Sequence, residues 1–415
     1  MGGNSELPAA TDAGQTLAAR FDPETLPTTF FEDPYPTYAA LRSHDPVHRC
    51  ADGGYFLTRY ADVDFVYRDR THFSSDKKAV FAPKYGSESP LYAHHTSSLV
   101  FNDPPYHTRV RRQIVGALSP AAIKGMVPGL AALIERLCDN IKRKGAFDLI
   151  EDFAAAIPVE VIGNLLGVPR EQRGDLRRWS LGILGALDPA LSAQALENGN
   201  LCVVEFLEFT RALVCERRRR LRGEDDLLSR LIRDETGGEH LDEFELLHNC
   251  IFLLNAGHET TTNLIGNGLA LLLNDVRSRQ QLCRNPTLIG STIEECLRYE
   301  SPNQLGNRMV VSPVELAGRI FSAGTYLTLC IGAANRDPTT FKDSSVFDIS
   351  RDPNRHLAFA AGSHGCAGMS IARLEGQMAV MGFLNRFPHA RVEAGTLRSR
   401  RARFRGFVSL PATIE

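Results

Sequence analysis

The sequence predicts a mainly α-helical fold with a small β region (α+β). Apolar residues recur three or four positions apart through most of residues 120–275, the periodicity of buried helices. Residues 308–331 instead alternate like strands around a Gly/Ala turn. Hydrophobic residues fill 43% of the 415 positions and charged residues 23%, which excludes global disorder. No repeat or low-complexity linker divides the chain, so we expect an N-terminal arm over 1–32 and a single domain over 33–415.

Periodicity and helix-breaking residues place the individual elements. Pro158 is expected to kink or divide a helix over 147–166, and Pro302 to stop the helix that precedes it. Short strands are expected around Val47 and over 55–58. Five arginines between positions 398 and 405 alternate with phenylalanines, which favours an edge strand with outward charges. The other expected helices cover 35–43, 127–142, 200–222, 244–274, 288–300 and 369–386.

The charge balance and the cysteine pattern exclude several classes of protein. Lysine and arginine number 47 against 49 acidic residues, so a nucleic-acid binder, which should look basic, is not expected. No apolar run reaches the roughly 18 residues that span a bilayer, and residues 1–14 resemble no secretory signal. Nine cysteines without a CxxC pair favour reduced, mostly buried thiols in the cytoplasm. The basic run at 217–220 is interpreted as a solvated helix end.

One cysteine differs from the others in its surroundings. Cys366 lies at the start of the last predicted helix, where the helix dipole and unpaired N–H groups stabilise a thiolate. Glycines around it lack Cβ and allow close approach to a flat, bulky group, which suits an axial iron ligand. The alternative is an inert cysteine that follows a glycine-rich loop. In that case the fixed spacing of the residues around the cysteine would be accidental. That spacing involves Phe359, Gly362, His364, Gly365 and Gly368.

The pattern FxxGxxxCxG at 359–368 resembles the haem-binding signature of the cytochrome P450 family of haem-thiolate monooxygenases. The resemblance implies the P450 fold, with a long central helix over haem b and the cysteine loop before the last long helix. It makes Cys366 the proximal ligand of the iron and residues 33–415 one catalytic domain. Ala360 stands where the family usually has glycine, and Ser322 where proline often precedes Ala-Gly. Neither departure is expected to affect the fold or haem binding.

Glu295 and Arg298 resemble the ExxR pair of the same family. Three positions apart on a helix, a carboxylate and a guanidinium can form an ion pair. Such pairs are common on exposed helices, but this one precedes Ser301-Pro302 and the cysteine in the order that the family requires. The implied role is structural, bracing the irregular segment 335–365. Arg351 is the expected third partner, and His356 is the alternative.

The centre of the predicted helix 244–274 contains residues that weaken a helix. Gly257 costs about 1 kcal/mol relative to alanine, and the threonines at 260–262 compete for i−4 carbonyls. The alternative, a helix that only tolerates polar residues, fits poorly beside the apolar run at 251–254. The resemblance places Glu259 and Thr260 at the acid–alcohol positions that manage dioxygen and proton delivery. They are the expected catalytic residues, and His258 is expected to be passive.

Four basic side chains are implied as partners of the haem propionates. His107 and Arg111 lie four positions apart on a predicted helix with Asp103 as its N-cap, so they share a face that can bind a carboxylate. The residues alone leave a surface cluster as the alternative. The resemblance adds Arg308 and His364 to the propionate-binding set.

The implied activity is insertion of one oxygen atom of O2 into a C–H bond of an apolar substrate. Electrons from NAD(P)H are expected through ferredoxin and ferredoxin reductase, because no reductase follows the last helix. We expect Arg109 and Arg112 to dock the ferredoxin, because they lie off the helix face that carries His107. The enzyme is expected to be monomeric and cytoplasmic. The alternatives are a P450-fold peroxygenase, dehydratase or isomerase, and a non-enzymatic haem-thiolate binding protein. The acid–alcohol pair disfavours both.

The resemblance also implies which segments line the substrate pocket. They are residues 75–100, Leu253, Ala256, 303–307 and 404–407. The lysines at 77, 78 and 84 and the amides at 303, 304 and 307 are candidates to hold a carboxylate or several oxygens on a fatty acid, terpenoid or steroid. The alternative is that the lysines face solvent and the amides satisfy backbone groups after Pro302. The sequence leaves both interpretations open.

Overall fold

The computed structural model describes residues 10–219, 226–233 and 241–414. Helices dominate this structure, as the apolar periodicity predicts. The helices are α1 (Ala10–Ala19), α2 (Thr28–Glu32), α3 (Tyr35–His44), α4 (Tyr60–Arg68), α5 (Lys78–Tyr85), α6 (Pro90–Ser97), α7 (Tyr106–Ala117), α8 (Pro120–Lys144), α9 (Ala156–Leu165), α10 (Leu176–Gly185), α11 (Ala193–Arg219), α12 (Leu227–Arg233), α13 (Glu243–Asn274), α14 (Val276–Arg284), α15 (Ile289–Tyr299), α16 (Ile331–Ala334) and α17 (Met369–Arg386).

The strands form small sheets beside the helices. They are β1 (Val47–Arg49), β2 (Tyr55–Leu57), β3 (Phe73–Ser74), β4 (Ala146–Asp148), β5 (Leu305–Val310), β6 (Val314–Leu316), β7 (Arg319–Phe321), β8 (Tyr326–Cys330), β9 (Arg391–Val392), β10 (Leu397–Arg398), β11 (Phe407–Ser409) and β12 (Pro411–Thr413). The largest sheet has the order β1-β2-β8-β5-β3. Its β2–β8 pair is parallel and its other pairs are antiparallel, so the N-terminal hairpin and the strands that follow α15 share one sheet.

The predicted N-terminal arm packs against the rest of the chain wherever the structure describes it. Ala18 and Phe30 are buried, and the ring centroid of Phe21 lies 4.8 Å from that of Phe56 on β2. The segment therefore extends an apolar cluster that also contains Tyr38 of α3. Packing of these aromatic rings, rather than a long local helix, holds residues 10–32 in place.

The long helix α13 runs through the main hydrophobic core. Its N-terminus is closed by a capping box, in which Asp242 accepts from the Glu245 N–H at 2.7 Å and Glu245 accepts from the Asp242 N–H at 3.1 Å. Leu254, Ile265 and Leu269 are among its many buried residues. A helix that is apolar on most faces must be surrounded by other elements, and α9, α10, α11, α15 and α17 all pack against it.

The predicted helix over 147–166 is wrong in its first half. Residues 146–148 form β4, because they pair in register with β12 near the C-terminus. A single π turn, Ile150–Ala154, follows, and α9 begins only at Ala156. Pro158 lies in the first turn of α9, where a proline needs no hydrogen bond. The segment is therefore divided just before this proline, which is one of the two expected outcomes, and α9 is not kinked by it.

The expected outward-facing arginine strand near the C-terminus is also wrong. Between β10 and β11, which pair with each other, the segment forms a single β-bridge, from Phe404 to Asn303, and turns arginines inward. Arg405 is only 7% exposed and pairs with the buried Glu300, and Arg401 pairs with Glu259. Arginines do alternate with phenylalanines along this segment, but the arginines that were expected to face solvent pair with buried carboxylates.

The basic run at 217–220 fits its interpretation as a solvated helix end only in part, because Arg219 is exposed and Arg217 is not. Arg217 is buried, pairs with Asp226 and donates to the Gly167 carbonyl at 2.8 Å. Arg220, with the acidic residues at 224 and 225 and the end of the helix predicted to reach 222, lies outside the described residues.

Within the described ranges, no single helix is long and apolar enough to cross a membrane. The pair α7 and α8, bent by 53°, meets the criteria of length and composition only.

Candidate active site

The loop ahead of α17 is a tight turn that presents Cys366. The Cys366 N–H donates to the Phe359 carbonyl at 2.9 Å, and the Gly365 N–H donates to the Gly362 carbonyl at 3.1 Å. Gly362 has φ of +68°, and an added Cβ would overlap the backbone oxygen of Tyr67. Glycine alone fits this position, so the glycine spacing of the sequence has a steric cause here.

The Cys366 thiol lies in a recess. It is exposed, whereas six of the nine free cysteines are buried, and yet desolvation by the surrounding protein raises its pKa. The Gly368 N–H and the charges of Arg111 and Arg373 act in the opposite direction. Thiolate stabilisation by the helix end is therefore present but weaker than the sequence suggests. A coordinated metal ion deprotonates such a thiol outright.

The four predicted propionate partners meet beside this loop. The His107 and His364 rings lie 4.0 Å apart, and the Arg111 Nη2 donates to the Gly365 carbonyl at 2.6 Å. Burial lowers the pKa of His107 to about 4 and that of His364 to about 2, and the charges of Arg111 and Arg308 add to both shifts. The cluster is therefore electropositive and holds its histidines neutral.

The donors of this cluster suit the carboxylates of haem b. Both ring nitrogens of His107 are buried without a hydrogen-bond partner among the described residues. Arg308 is 8% exposed, and its guanidinium lies 5.2 Å above the Tyr67 ring. Buried donors and cations of this kind need anionic acceptors. The residues fit a group that brings two carboxylates.

The middle of α13 is open on one face. Ala256 is exposed and Thr260 is half-buried, although residues 258, 259 and 261 are buried. The Thr260 Oγ1 donates to the Ala256 carbonyl at 2.9 Å, the i−4 bond that the sequence predicts. His258 is buried and its ring nitrogens have no partner among the described residues, which lowers its pKa to about 3 and keeps it neutral. Thr260 therefore faces open space at the middle of a helix whose adjacent residues 258, 259 and 261 are buried.

Glu259 points to the other side and forms a buried ion pair. Both of its carboxylate oxygens accept from the Arg401 Nη1, at 2.8 and 2.9 Å, and Arg401 also donates to the Leu181 carbonyl at 2.9 Å. Burial raises the pKa of Glu259 to about 7, with Asp188 adding to the shift and Arg401 opposing it. Sequence reasoning missed Arg401, because no local signal in an arginine-rich segment singles it out.

The ExxR pair is a buried brace. Glu295 and Arg298 are fully buried and joined by two hydrogen bonds of 2.8 Å. Arg351 is their third partner, with its Nε 3.1 Å from a Glu295 oxygen, so the expected partner is confirmed. The alternative, His356, instead contacts Glu294 at 3.1 Å. Arg298 also donates to the carbonyls of Asn335, Ser344 and Val346, which fixes the irregular segment.

One expectation about α7 is wrong, and the docking of a ferredoxin through Arg109 stays a prediction. Asp103 does not cap the helix, because its carboxylate accepts from the Ser75 N–H at 2.9 Å and from the Ser74 hydroxyl. Arg109 does not offer an unengaged charge for docking, because its guanidinium is paired with both carboxylate oxygens of Glu245. Arg112 is exposed, as expected.

Most polar groups expected in the substrate pocket have protein partners. Gln304 donates to the Ser301 carbonyl at 2.7 Å, and Asn307 donates to Thr328 at 3.2 Å. Lys78 is exposed and paired with Asp76 at 2.8 Å. Lys84 donates to the Asp188 carbonyl at 2.6 Å, and burial lowers its pKa to about 8. Gln304 therefore satisfies a backbone group, as the alternative interpretation predicts.

Comparison with known proteins identifies the family. The chain is 33% identical over 395 residues to the biotin biosynthesis cytochrome P450 of Bacillus subtilis (strain 168), covering 94% of this chain and 98% of the relative. This chain belongs to the cytochrome P450 family. The P450 family model matches residues 277–415. This P450 is also 36% identical over 359 residues to the vitamin D(3) 25-hydroxylase of Pseudonocardia autotrophica, covering 85% of this chain and 86% of the relative.

Solved structures agree with the assignment. P450BioI, solved with an acyl carrier protein ligated to hexadec-9Z-enoic acid, gives a TM-score of 0.88 at 33% identity, covering 94% of this chain and all of that one. Myxobacterial CYP267B1, solved with myristic acid, gives 0.86 at 33% identity, covering 93% of this P450 and 98% of that chain. The predicted fold and family are confirmed. The chain is a cytochrome P450 monooxygenase, and its family implies haem as the cofactor.

Proposed function

We propose that this P450 inserts one oxygen atom of O2 into a C–H bond of a long acyl chain, as a free carboxylic acid or as an acyl group on a carrier protein. The open face of α13 at Ala256 and Thr260 is the observation that carries the proposal, because it offers space beside the Thr260 hydroxyl. The acyl ligands of P450BioI and CYP267B1 support the substrate class. Steroids and terpenoids are the comparators, since another relative is a vitamin D(3) hydroxylase.

Haem b in this proposal is held by Cys366 through its iron and by four basic residues through its propionates. His107 and His364 supply ring N–H donors, and Arg111 and Arg308 supply charge. The unpartnered nitrogens of His107 support this arrangement, since a propionate would satisfy them. When bound, a haem with a thiolate ligand activates dioxygen by favouring O–O cleavage.

Glu259 and Thr260 are the proposed proton-managing residues. With its pKa raised to about 7, Glu259 can hold or release a proton near neutral pH, which is the condition for efficient proton transfer. The Thr260 hydroxyl gives its own hydrogen to Ala256, so its oxygen remains available as an acceptor on the open face. Arg401 positions the Glu259 carboxylate without reaching that face.

Ferredoxin and ferredoxin reductase, drawing on NAD(P)H, are the proposed electron donors to a monomeric enzyme in the cytoplasm. The nine free thiols support a reducing compartment. The positive charge of Arg112, which is exposed on α7, supports an acidic partner.

The test reconstitutes the purified protein with a surrogate ferredoxin, its reductase and NADH. Spectral titration and product analysis compare myristic acid, its methyl ester, an acyl carrier protein loaded with hexadecenoic acid, and a steroid. We expect tight binding and coupled product formation with an acyl substrate. Oxygenation of the steroid alone would overturn the substrate class. Product formed only with added peroxide would favour the peroxygenase alternative.

A further inference from the structure

Lys77 differs from the other lysines of its segment. It lies just before α5, is only 2% exposed, and its Nζ has no hydrogen-bond partner among the described residues. Lys78 beside it is exposed and paired with an aspartate, and Lys84 is bonded to a carbonyl. Lysine is almost never fully buried without a partner. The alternative interpretation, in which the lysines face solvent, is therefore wrong for Lys77.

The charges around Lys77 are mainly of its own sign. Burial, together with the charges of Arg308 and Arg403, holds the pKa of Lys77 well below the usual range. Asp103 and Asp76 oppose this effect, but less strongly. Asp103 is already bonded to Ser75 and to the Ser74 hydroxyl, and Asp76 is paired with Lys78.

The neighbouring cation Arg403 is fully engaged elsewhere. It donates to the Leu305 carbonyl at 2.9 Å, to the Leu187 carbonyl at 3.2 Å and to the Asn307 side chain. The Tyr326 ring, 5.5 Å from the Lys77 Nζ, offers only a π face. A buried ammonium in this setting needs a further anion, since an unpaired one is disfavoured by several kcal/mol.

The position of Lys77 indicates where that anion comes from. The charges of Arg308 and Lys77 interact with each other. His364 is on the same side of the cluster, and its Nε2 lies 4.0 Å from an Asp103 carboxylate oxygen. Arg308 and His364 are proposed partners of the haem propionates. We propose that Lys77 is a fifth residue of this cluster and binds a haem propionate next to Arg308. The inference rests on the proposed haem cradle and adds a residue to it.

The experiment compares Lys77→Met with Lys78→Met and Arg308→Met in the haem-loaded protein. The Lys77→Met change removes the charge at nearly constant length, and Lys78→Met is the matched control on an exposed neighbour. Haem transfer from the ferric protein to excess apomyoglobin is followed by absorbance. Because a charge-assisted hydrogen bond is lost, Lys77→Met is expected to speed transfer about tenfold or more, and Lys78→Met to leave it unchanged.

Two further readouts separate a propionate contact from a general loss of stability. Resonance Raman spectra should show a shifted propionate bending mode in Lys77→Met, and the ferric/ferrous midpoint potential should fall because a positive charge near the haem is gone. Lys77→Arg should restore both towards the wild-type values. Circular dichroism confirms that each variant is folded.

The outcomes distinguish this inference from the proposed cradle. Faster haem loss in Arg308→Met but not in Lys77→Met overturns the role of Lys77 and leaves the cradle intact. No effect in either variant overturns both. If haem loss and Raman modes are unchanged in Lys77→Met while myristic acid, but not its methyl ester, binds more weakly, then Lys77 holds a substrate carboxylate and the inference is wrong.

Discussion

Adjacent residues at the centre of α13 lie on different faces of the helix. Thr260 lies on the open face, and Glu259 lies in the core against Arg401. The carboxylate therefore does not stand in the open space itself. The Thr260 hydroxyl is held at this face by its bond to the Ala256 carbonyl.

We predict that Thr260→Ala uncouples electron use from product formation. The hydroxyl acceptor on the open face is lost, and positioned proton transfer contributes about 10²–10⁴-fold. Peroxide release per NADH should rise while substrate affinity changes little. Thr262→Ala is the control, because Thr262 makes the same i−4 bond, at 3.0 Å to His258, but is buried. Equal coupling in wild type and Thr260→Ala would contradict the assigned role.

We predict that Cys366→Ala abolishes the Soret shift that carbon monoxide produces in a reduced haem-thiolate protein. Removing the thiol removes the only sulfur at the glycine-rich turn. Cys283→Ala, at another exposed cysteine, should leave the spectrum unchanged. A folded Cys366→Ala protein that retains the shifted band would show that another residue is the ligand.

At the scale of elements, two short segments hold the site in place. The brace from α15 ties the irregular segment 335–365 to the helical core through Glu295 and Arg298. The turn before α17 needs positive φ at Ala360 (56°) and at Gly362 (68°). Ala360 stands where the family usually has glycine, so its positive φ strains the backbone. The strain is small because alanine has the smallest side chain with a Cβ.

We predict that Glu295→Gln destabilises the protein by about 3–5 kcal/mol, because it leaves the buried guanidinium of Arg298 without a counter-charge. Denaturant unfolding of the haem-loaded protein provides the measurement. Glu294→Gln is the matched control on the adjacent residue. Its carboxylate pairs with Arg373 but is partly exposed, so a loss of about 1 kcal/mol is expected. Similar losses of unfolding free energy in the two variants would contradict the prediction that the buried Glu295–Arg298 pair contributes more to stability than the partly exposed pair of Glu294.

We predict that Gly362→Ala prevents stable haem incorporation. The added Cβ would overlap the Tyr67 backbone oxygen, which no side-chain rotation relieves. Gly53→Ala separates this clash from backbone strain alone, because Gly53 also has positive φ, 84°, but has open space around its Cβ position. Haem content per protein should fall sharply only for Gly362→Ala, and equal content in both variants would rule out the steric explanation.

At the scale of the whole molecule, stability must depend on pH through buried groups that are not part of the cradle. Glu375 on α17 is 3% exposed, and one of its carboxylate oxygens has no partner among the described residues. Burial alone raises its pKa from 4.5 to about 8. The folded state therefore binds this proton more tightly than the unfolded state does.

We predict that Glu375→Gln becomes increasingly more stable than the wild type as the pH rises from 4.5 to 8. The contribution of Glu375 is fully present below pH 4.5 and is lost through the folded pKa of about 8, at about 1.4 kcal/mol for each pH unit. Urea unfolding at pH 5 and pH 8 measures the difference, and Glu393→Gln at an exposed position is the control. A constant difference between wild type and Glu375→Gln at the two pH values would contradict the assignment.

The sequence by itself determined the features that depend on neighbouring residues. Apolar periodicity placed the long helices, because a helix buries residues three or four apart. The glycine-rich turn at Cys366 and the pair Glu295–Arg298 could be predicted for the same reason. Each depends only on residues within one loop or one helical turn. The family and the mainly helical fold followed from these local patterns in their order along the chain.

Only the tertiary structure decided which polar residues turn inward. Glu259 and Arg401 are separated by 142 positions, and Glu300 and Arg405 by 105. Burial of Lys77 and the strand at 146–148 likewise depend on partners brought from distant segments. The sequence does not distinguish a charged residue that faces water from one that faces a buried counter-charge. Packing of the elements that carry the residue and its partner decides which of the two environments it occupies.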